Sequence, residues 1–360
     1  SLYFNLRAGY HVSDQYNEGV SQEPLYYFVT SNLGMAGVPE SLQGTRGHRN
    51  IVTNQEARQN RVTRLSLLAD ATWFVNGAGQ HALKAGVQYN RIGHDVDYGH
   101  NANVVDLFWD RSYGGASGPY GFYRVLSNEI DPKRGSLIYG NIRTPNWALF
   151  VQDSWTLADR LTLNLGLRAE REEIPSYATD PTFPPTAIEF SFADKLAPRL
   201  GFAWDVTGDG SLKLSGGWGV FYDIAKLNMA MGPFGGRHRQ FWFYGLDTPA
   251  WPSLVDAPAC PPDCPGERLD GPINTLSAVN DPKDNKIDPE LEPHRLQEAT
   301  VGIDYALTPT LSLAARYVHK QLDRAVEDIG AQDAELNEVF AVGNPGFGRA
   351  SIAHVFADGT

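Results

Sequence analysis

Apolar and polar residues alternate with period two along much of this chain. Between Leu161 and Glu170, Leu161, Leu163, Leu165, Leu167 and Ala169 fall on one side, and Thr162, Asn164, Gly166, Arg168 and Glu170 on the other. Residues two apart share a face only in an extended strand; a helix would scatter both sets. The same pattern runs through Leu2, Phe4, Leu6, Ala8 and Tyr10, and through Leu83, Ala85, Val87 and Tyr89. It returns in Leu200, Phe202, Trp204 and Val206, then in Leu212, Leu214, Gly216, Trp218 and Val220. Ala299, Val301, Ile303 and Tyr305, followed by Leu311, Leu313, Ala315 and Tyr317, complete the series. The spacing predicts about nine strands, each near the ~9–11 residues that a tilted membrane strand requires.

The connections alternate as well. Short turns are predicted at Asn76–Gly79, Ala158–Arg160, Thr207–Gly210 and Thr308–Thr310. Long polar stretches separate them: His11 to Gln59, Asp95 to Tyr139, Glu172 to Asp194, and Asp223 to Pro293. Antiparallel strands joined in sequence then carry all short turns on one rim and all long loops on the other, as outer-membrane barrels do. Long external loops are placed at about 13–57, 95–139, 174–193, 224–291 and 325–360. Aromatic residues mark the strand ends as interfacial girdles would. Trp73, Phe74, Trp155 and Trp204 lie towards the short turns, and Tyr10, Tyr89, Trp147, Phe221 and Tyr222 towards the loops. The fold class is therefore all-β, an antiparallel transmembrane β-barrel wall with short periplasmic turns and long extracellular loops. An odd strand count cannot close a bacterial barrel, so residues 1–360 are expected to form part of a larger wall.

Composition narrows the function. The 360 residues carry a formal net charge of −12 with pI near 5.2, which argues against a nucleic-acid partner. A mean hydropathy of −0.33 and the lack of a long apolar run exclude membrane helices but not membrane strands. No hydrolase, zinc or phosphate-loop motif occurs, so no catalytic residue, cofactor or metal is assigned.

Asn146-Trp-Ala-Leu-Phe-Val-Gln-Asp-Ser-Trp155, followed by Leu161-Thr-Leu-Asn-Leu-Gly-Leu-Arg168, resembles a hairpin of TonB-dependent receptors. Ala197-Pro-Arg-Leu-Gly-Phe-Ala-Trp204 and Leu212-Lys-Leu-Ser-Gly-Gly-Trp-Gly-Val-Phe-Tyr-Asp223 resemble the next hairpin. Pro289-Glu-Leu-Glu-Pro-His-Arg-Leu-Gln-Glu298, Arg316-Tyr317 and Gly343-Asn-Pro-Gly346 extend the resemblance to the Oar-like branch. It implies a 22-stranded barrel filled by an N-terminal plug. It also implies uptake of a large or scarce ligand, with outer-membrane lipid, the remaining strands, the plug and TonB as partners. No segment here resembles a plug or an energy-coupling box. A passive porin-like channel, a structural surface protein and a soluble β-rich carbohydrate-binding protein are the alternatives.

Candidate chemistry lies in the loops. Arg237, His238, Arg239, Trp242 and Tyr244 form the best ligand candidate, the arginines clamping an anion while the rings stack on a planar or sugar face. The plainer reading is a loop packed over the barrel mouth. Cys260 and Cys264 are expected to form a disulfide across a tight Pro-rich loop. Asp281, Asp284, Asp288 and Glu290 are read as a solvated loop in preference to a calcium site. Asp205, Thr207, Asp209 and Gly210 are read as turn chemistry. His94, Asp95, Asp97 and His100 are read as exposed loop residues in preference to metal ligands.

Overall fold

The computed structural model describes residues 1–178, 185–227, 231, 235–273, 287–332 and 338–347. In chain order the first strands are β1 (Leu2–Asp14), β2 (Leu25–Phe28), β3 (Gln55–Asn76), β4 (Gln80–His100), β5 (Val104–Trp109) and β6 (Gly121–Ser127). Then come β7 (Leu137–Leu157), β8 (Leu161–Pro175), β9 (Thr186–Phe190), β10 (Leu196–Asp205), β11 (Leu212–Tyr222) and β12 (Arg237–His238). The last are β13 (Gln240–Gly245), β14 (Arg268–Ile273), β15 (Arg295–Thr308), β16 (Leu311–Arg324), β17 (Glu327–Gln332) and β18 (Glu338–Gly343).

Nine of these make one antiparallel wall in the order β1-β3-β4-β7-β8-β10-β11-β15-β16, with β9 and β12 attached off that path. Each strand pairs with its successor in the wall, so the β3–β4, β7–β8, β10–β11 and β15–β16 turns share one edge. At the Asp205 turn, the Asp205 carboxylate accepts the Gly208 and Gly210 amides at 2.8 and 3.0 Å, a turn clasp and not a cation loop.

Register sorts the side chains into two faces. Leu200 lies opposite Leu165, Phe202 opposite Leu163 and Trp204 opposite Leu161, and Val151 opposite Leu167. On that face Leu6 is 80% exposed, Phe4 71%, Leu313 57% and Val151 53%. A belt of this kind would aggregate in water and is at home in hydrocarbon. The opposite face is polar and cross-linked. Lys84 meets Asp70 at 3.1 Å, Asn5 donates to Asp70 at 2.9 Å, and Arg168 donates to Gln88 at 3.0 Å. Two aromatic residues assigned to the girdle belong to this polar face. Phe74 pairs with Ala82 one step out of phase with Trp73, and Phe221 packs beneath Arg199 at 4.6 Å. Period two decides this, because adjacent residues cannot share a face.

The strands are longer than the membrane requires. β3 has 22 residues and β4 and β7 have 21 each. At ~3.3 Å per residue, 22 residues reach roughly 70 Å, far more than a tilted crossing of the hydrocarbon needs. The ends away from the short turns therefore stand in water, where polar pairs hold them. His94, Asp95, Asp97 and His100 lie in this extension of β4 and are strand residues, not exposed loop residues. His94 bonds Tyr177 at 2.7 Å, Arg143 bonds Asp95 at 2.9 Å, and Arg134 bonds Asp97 at 3.1 Å.

The loops are also folded. Strands β14-β13-β6-β5-β2 form a second, five-stranded sheet drawn from three of the long connections. The loop segment between β1 and β3 supplies β2, which pairs parallel to β5.

Leu165 sits on the apolar face of β8, opposite Leu200 of β10. Leu165→Arg is expected to cost about 2–4 kcal/mol and Asn164→Ala, on the polar face, less than about 1 kcal/mol. Urea titration of the protein refolded into lipid vesicles measures both. Equal losses on the two faces would be inconsistent with a membrane wall.

Candidate functional site

The second sheet is the most elaborated feature beyond the wall, and it begins from short, apolar strands. Tyr26, Phe28, Val105, Leu107, Trp109, Tyr123, Val125, Trp242 and Tyr244 all turn to one side of it and are buried. Leu246, Trp251, Leu254 and the Cys260–Cys264 pair close that side. Cys260 and Cys264 are disulfide-bonded with a Cα–Cα distance of 4.4 Å. The loop they close receives two phenols: Tyr244 donates to the Pro262 carbonyl at 2.7 Å and Tyr123 to the Pro265 carbonyl at 2.5 Å. Burial pushes both phenols well above the usual tyrosine range. Lys133 adds bonds to the Ala257 and Cys260 carbonyls at 2.6 and 2.7 Å. These phenol and ammonium tips have thus found acceptors, as burial demands, whereas the indole N–H of Trp109 in the same core has none.

Buried amides fasten the sheet to the wall. Asn54, Asn103 and Asn128 are almost wholly buried. Asn54 donates to Ala102 O at 3.2 Å, Asn103 to Pro132 O at 2.9 Å, and Asn128 to Gly135 O at 2.7 Å. Arg134 donates to His100 O at 2.8 Å. These bonds bridge the top of β4, the start of β5, the end of β6 and the approach to β7.

The five residues singled out in the Arg237–Tyr244 segment are divided by this architecture. Arg237 is exposed on β12, opposite Ile138 of β7. His238 is buried and its Nδ1 lies 2.7 Å from Glu129. Arg239 stands 5.4 Å from the Phe241 ring centroid. Trp242 points into the core, where its indole donates to Ser127 at 2.9 Å, and Tyr244 is 1% exposed and stacks on Tyr123 at 5.3 Å. The rings that share the other side of β13 are Phe241 and Phe243. Strand alternation sends 241 and 243 one way and 242 and 244 the other, so the segment does not act as one contiguous clamp.

On that open side a transverse row crosses all five strands. Tyr27 pairs with Asp106, Asp106 with Arg124, Arg124 with Phe243, and Phe243 with Asp270. Reading along the chain could not find it, because its members come from positions 27 to 270. The one local signal was charge inside apolar runs, Asp106 in Val104–Trp109 and Arg124 in Gly121–Ser127. On the wall's polar face there is also an open hollow of about 480 Å3, edged by Gln88, Asn164, Arg168 and Arg199. Among the described residues no group of three or more His, Cys, Asp or Glu converges as a metal site. Asp281 and Asp284 lie outside the described residues.

A wall with a lipid-facing apolar belt, a wet polar face, short turns on one edge and folded loops on the other defines an outer-membrane β-barrel protein. The family described as outer membrane beta barrel domain matches residues 1–346, and the chain belongs to it. It is located in the cell outer membrane and is transporter-like. It is 25% identical over 312 residues to the TonB-dependent transporter Oar of Myxococcus xanthus, covering 78% of this chain and 27% of Oar. The outer membrane transporter YddB of Escherichia coli shares the fold with a TM-score of 0.50 at 12% identity. That match covers 95% of this chain and 35% of YddB. The chain thus spans about a third or less of the length of these proteins, which are transporters and not enzymes.

Two outcomes follow from the second sheet. Trp242→Ala removes a buried indole and leaves Ser127 without its partner, so the sheet is expected to lose about 3–5 kcal/mol. Chemical denaturation followed by tryptophan emission measures this, and the wall, followed by heat-resistant electrophoretic mobility, should not change. The second concerns acid. Burial raises the Glu129 carboxyl, but the hydrogen bond with His238 and its own backbone amide outweigh that and hold it below the usual carboxylate range. A lowered folded value means stabilisation that is present above the unfolded value of 4.5 and lost as pH falls below it. Glu129→Gln should therefore flatten the loss of sheet stability on acidification below that value, in a denaturation series against pH.

Proposed function

We propose that this chain is the wall segment, with its capture surface, of a TonB-dependent outer-membrane transporter. On this reading a longer polypeptide carries the remaining strands and the plug. TonB acts through that plug to drive uptake of a large or scarce ligand. The observation that carries the reading is the identity to Oar over 312 residues, distributed across a wall whose hairpin motifs follow the order of that family. Two features of the geometry support it. β1 pairs only with β3 and β16 only with β15 among the described residues, so both edges offer long ladders to further strands. The folded loops form a prebuilt surface opposite the short turns, where an external ligand arrives first.

Arg237 and Arg239 are assigned to the rim of that surface. His238, Trp242 and Tyr244 support it from below, through Glu129, Ser127 and the disulfide loop. The apolar belt takes outer-membrane lipid as its partner.

The test uses cells that make the full-length protein, with and without TonB, and measures depletion of compounds from a defined complex medium. Compounds removed only when both the protein and TonB are present are the expected result. Depletion that needs the protein but not TonB would replace this reading with a passive channel. No dependence on the protein would leave a structural surface role.

A further inference from the structure

The open face of the second sheet carries planar polar groups and flat aromatic rings in one row. Asp106 and Arg124 face each other on adjacent strands, and Arg124 reaches a single carboxylate oxygen with two nitrogens, at 3.0 and 2.6 Å. The other oxygen of Asp106 and the Nη1 nitrogen of Arg124 have no protein partner among the described residues. The Arg124 side chain is 31% exposed and that of Asp106 14%, so the free nitrogen has more access to solvent than the free oxygen. Arg124 also lies 4.2 Å from the Phe241 ring centroid, which fixes its guanidinium plane.

Next to this pair, Tyr113 lies flat on Phe243, with centroids 4.1 Å apart and planes within 18°. Its hydroxyl donates to Asp270 at 2.7 Å, and a tight turn closed by mutual Tyr113–Ala116 backbone bonds holds its main chain. One face of the tyrosine ring is covered by Phe243, and the ring remains partly exposed. It is a stacking surface already ordered before any ligand arrives, so little conformational entropy remains to be lost.

We propose that this face binds a neutral carbohydrate chain, with Tyr113 stacking on a sugar ring and the Asp106–Arg124 pair bonding its hydroxyls. Vicinal hydroxyls each donate and accept, which matches an open carboxylate oxygen beside an open guanidinium nitrogen. The C–H face of a sugar matches the tyrosine ring. Charge selects against other occupants. Asp106 and Asp270 in the row disfavour an anion, while Arg124, with Arg49 over Tyr27 at 5.1 Å and Arg239 over Phe241 at 5.4 Å, disfavours a cation. An apolar peptide would desolvate these groups without satisfying them.

The inference rests on the capture reading only in placing this sheet outside the cell. The experiment titrates the full-length protein, held in lipid nanodiscs, with cellohexaose, maltohexaose and chitohexaose by calorimetry. At least one hexasaccharide is expected to bind. Tyr113→Ala and Arg124→Gln should each weaken that binding about tenfold or more, the scale of one lost charge-assisted bond or stacking contact. Raising NaCl from about 0.05 to about 0.5 M should change it little, because the ligand carries no charge. Emission from the buried Trp109, Trp242 and Trp251 reports whether each variant keeps the sheet; if Arg124→Gln does not, Tyr113→Ala decides alone. Failure of all three sugars to bind, wild-type affinity in a folded Tyr113→Ala variant, or binding that collapses with salt would overturn the proposal. Binding without uptake by the full-length protein would overturn the transport reading and leave this site. TonB-dependent uptake without sugar binding would do the reverse.

Discussion

Inside hydrocarbon no water can satisfy a backbone N–H or C=O, so each must pair with the neighbouring strand. The rest of this structure depends on that constraint. Among the wall pairings, the ladders β1–β3, β4–β7, β7–β8, β8–β10, β10–β11 and β11–β15 run without a register shift. Irregularities fall where water returns: between Ala57 and Gln59 on the extension of β3, at Arg295, and beside the turn at Thr308. An unbroken ladder keeps side-chain alternation strict. Strict alternation collects most apolar side chains of the crossing segments on one face, with Phe74 and Phe221 among the exceptions, and that face is what the lipid sees.

One polar pair sits within that apolar face, and its geometry explains how it is held there. Asp153 lies opposite Leu83 and Leu165. His81 approaches it at 2.7 Å through Nδ1, while Nε2 faces the Gly77 carbonyl at 2.9 Å. Both ring nitrogens of His81 thus face an oxygen, so neither is left without a polar partner. Trp155 stacks on the ring at 5.2 Å, covering it from lipid. The pair lies beside the Asn76–Gly79 turn, at the edge of the hydrocarbon, where the cost of polar groups falls. Removing one partner alone would leave the other's polar group unpaired, a heavier penalty than losing both.

The wall was legible in the sequence because its signal is local: ten residues of alternation suffice, and Leu161–Glu170 and its neighbours carry it plainly. The four short turns followed from the same reading. The second sheet was not legible, because its core is assembled from strands of four to seven residues separated by long connections. Runs such as Val104–Trp109 and Gln240–Gly245 are too short for periodicity to separate strand from packed loop. The Arg237–Tyr244 segment shows the cost of reading residues as neighbours along the chain. Arg239 and Trp242 are close in sequence, yet the pleat assigns the arginine and Phe241 to the open side and the indole to the core. Across the sheet, Tyr27 and Asp270 belong to one row through three intervening strands, which only the register reveals.

The overlong strands connect these two halves. β3, β4 and β7 continue past the membrane as paired ladders held by Arg143–Asp95, Arg134–Asp97 and His94–Tyr177. The second sheet starts where they end, and Asn54, Asn103, Asn128 and Arg134 lock the junction with buried bonds to backbone carbonyls. A buried amide that lost such a bond would leave an unsatisfied group costing about 1–3 kcal/mol, so movement of the sheet against the wall breaks several at once. The external surface is therefore carried as a rigid extension of the barrel strands. On the capture reading proposed above, a ligand would meet a surface whose rings and ion pairs are already placed, and the free energy of contact would go to selection and not to ordering loops.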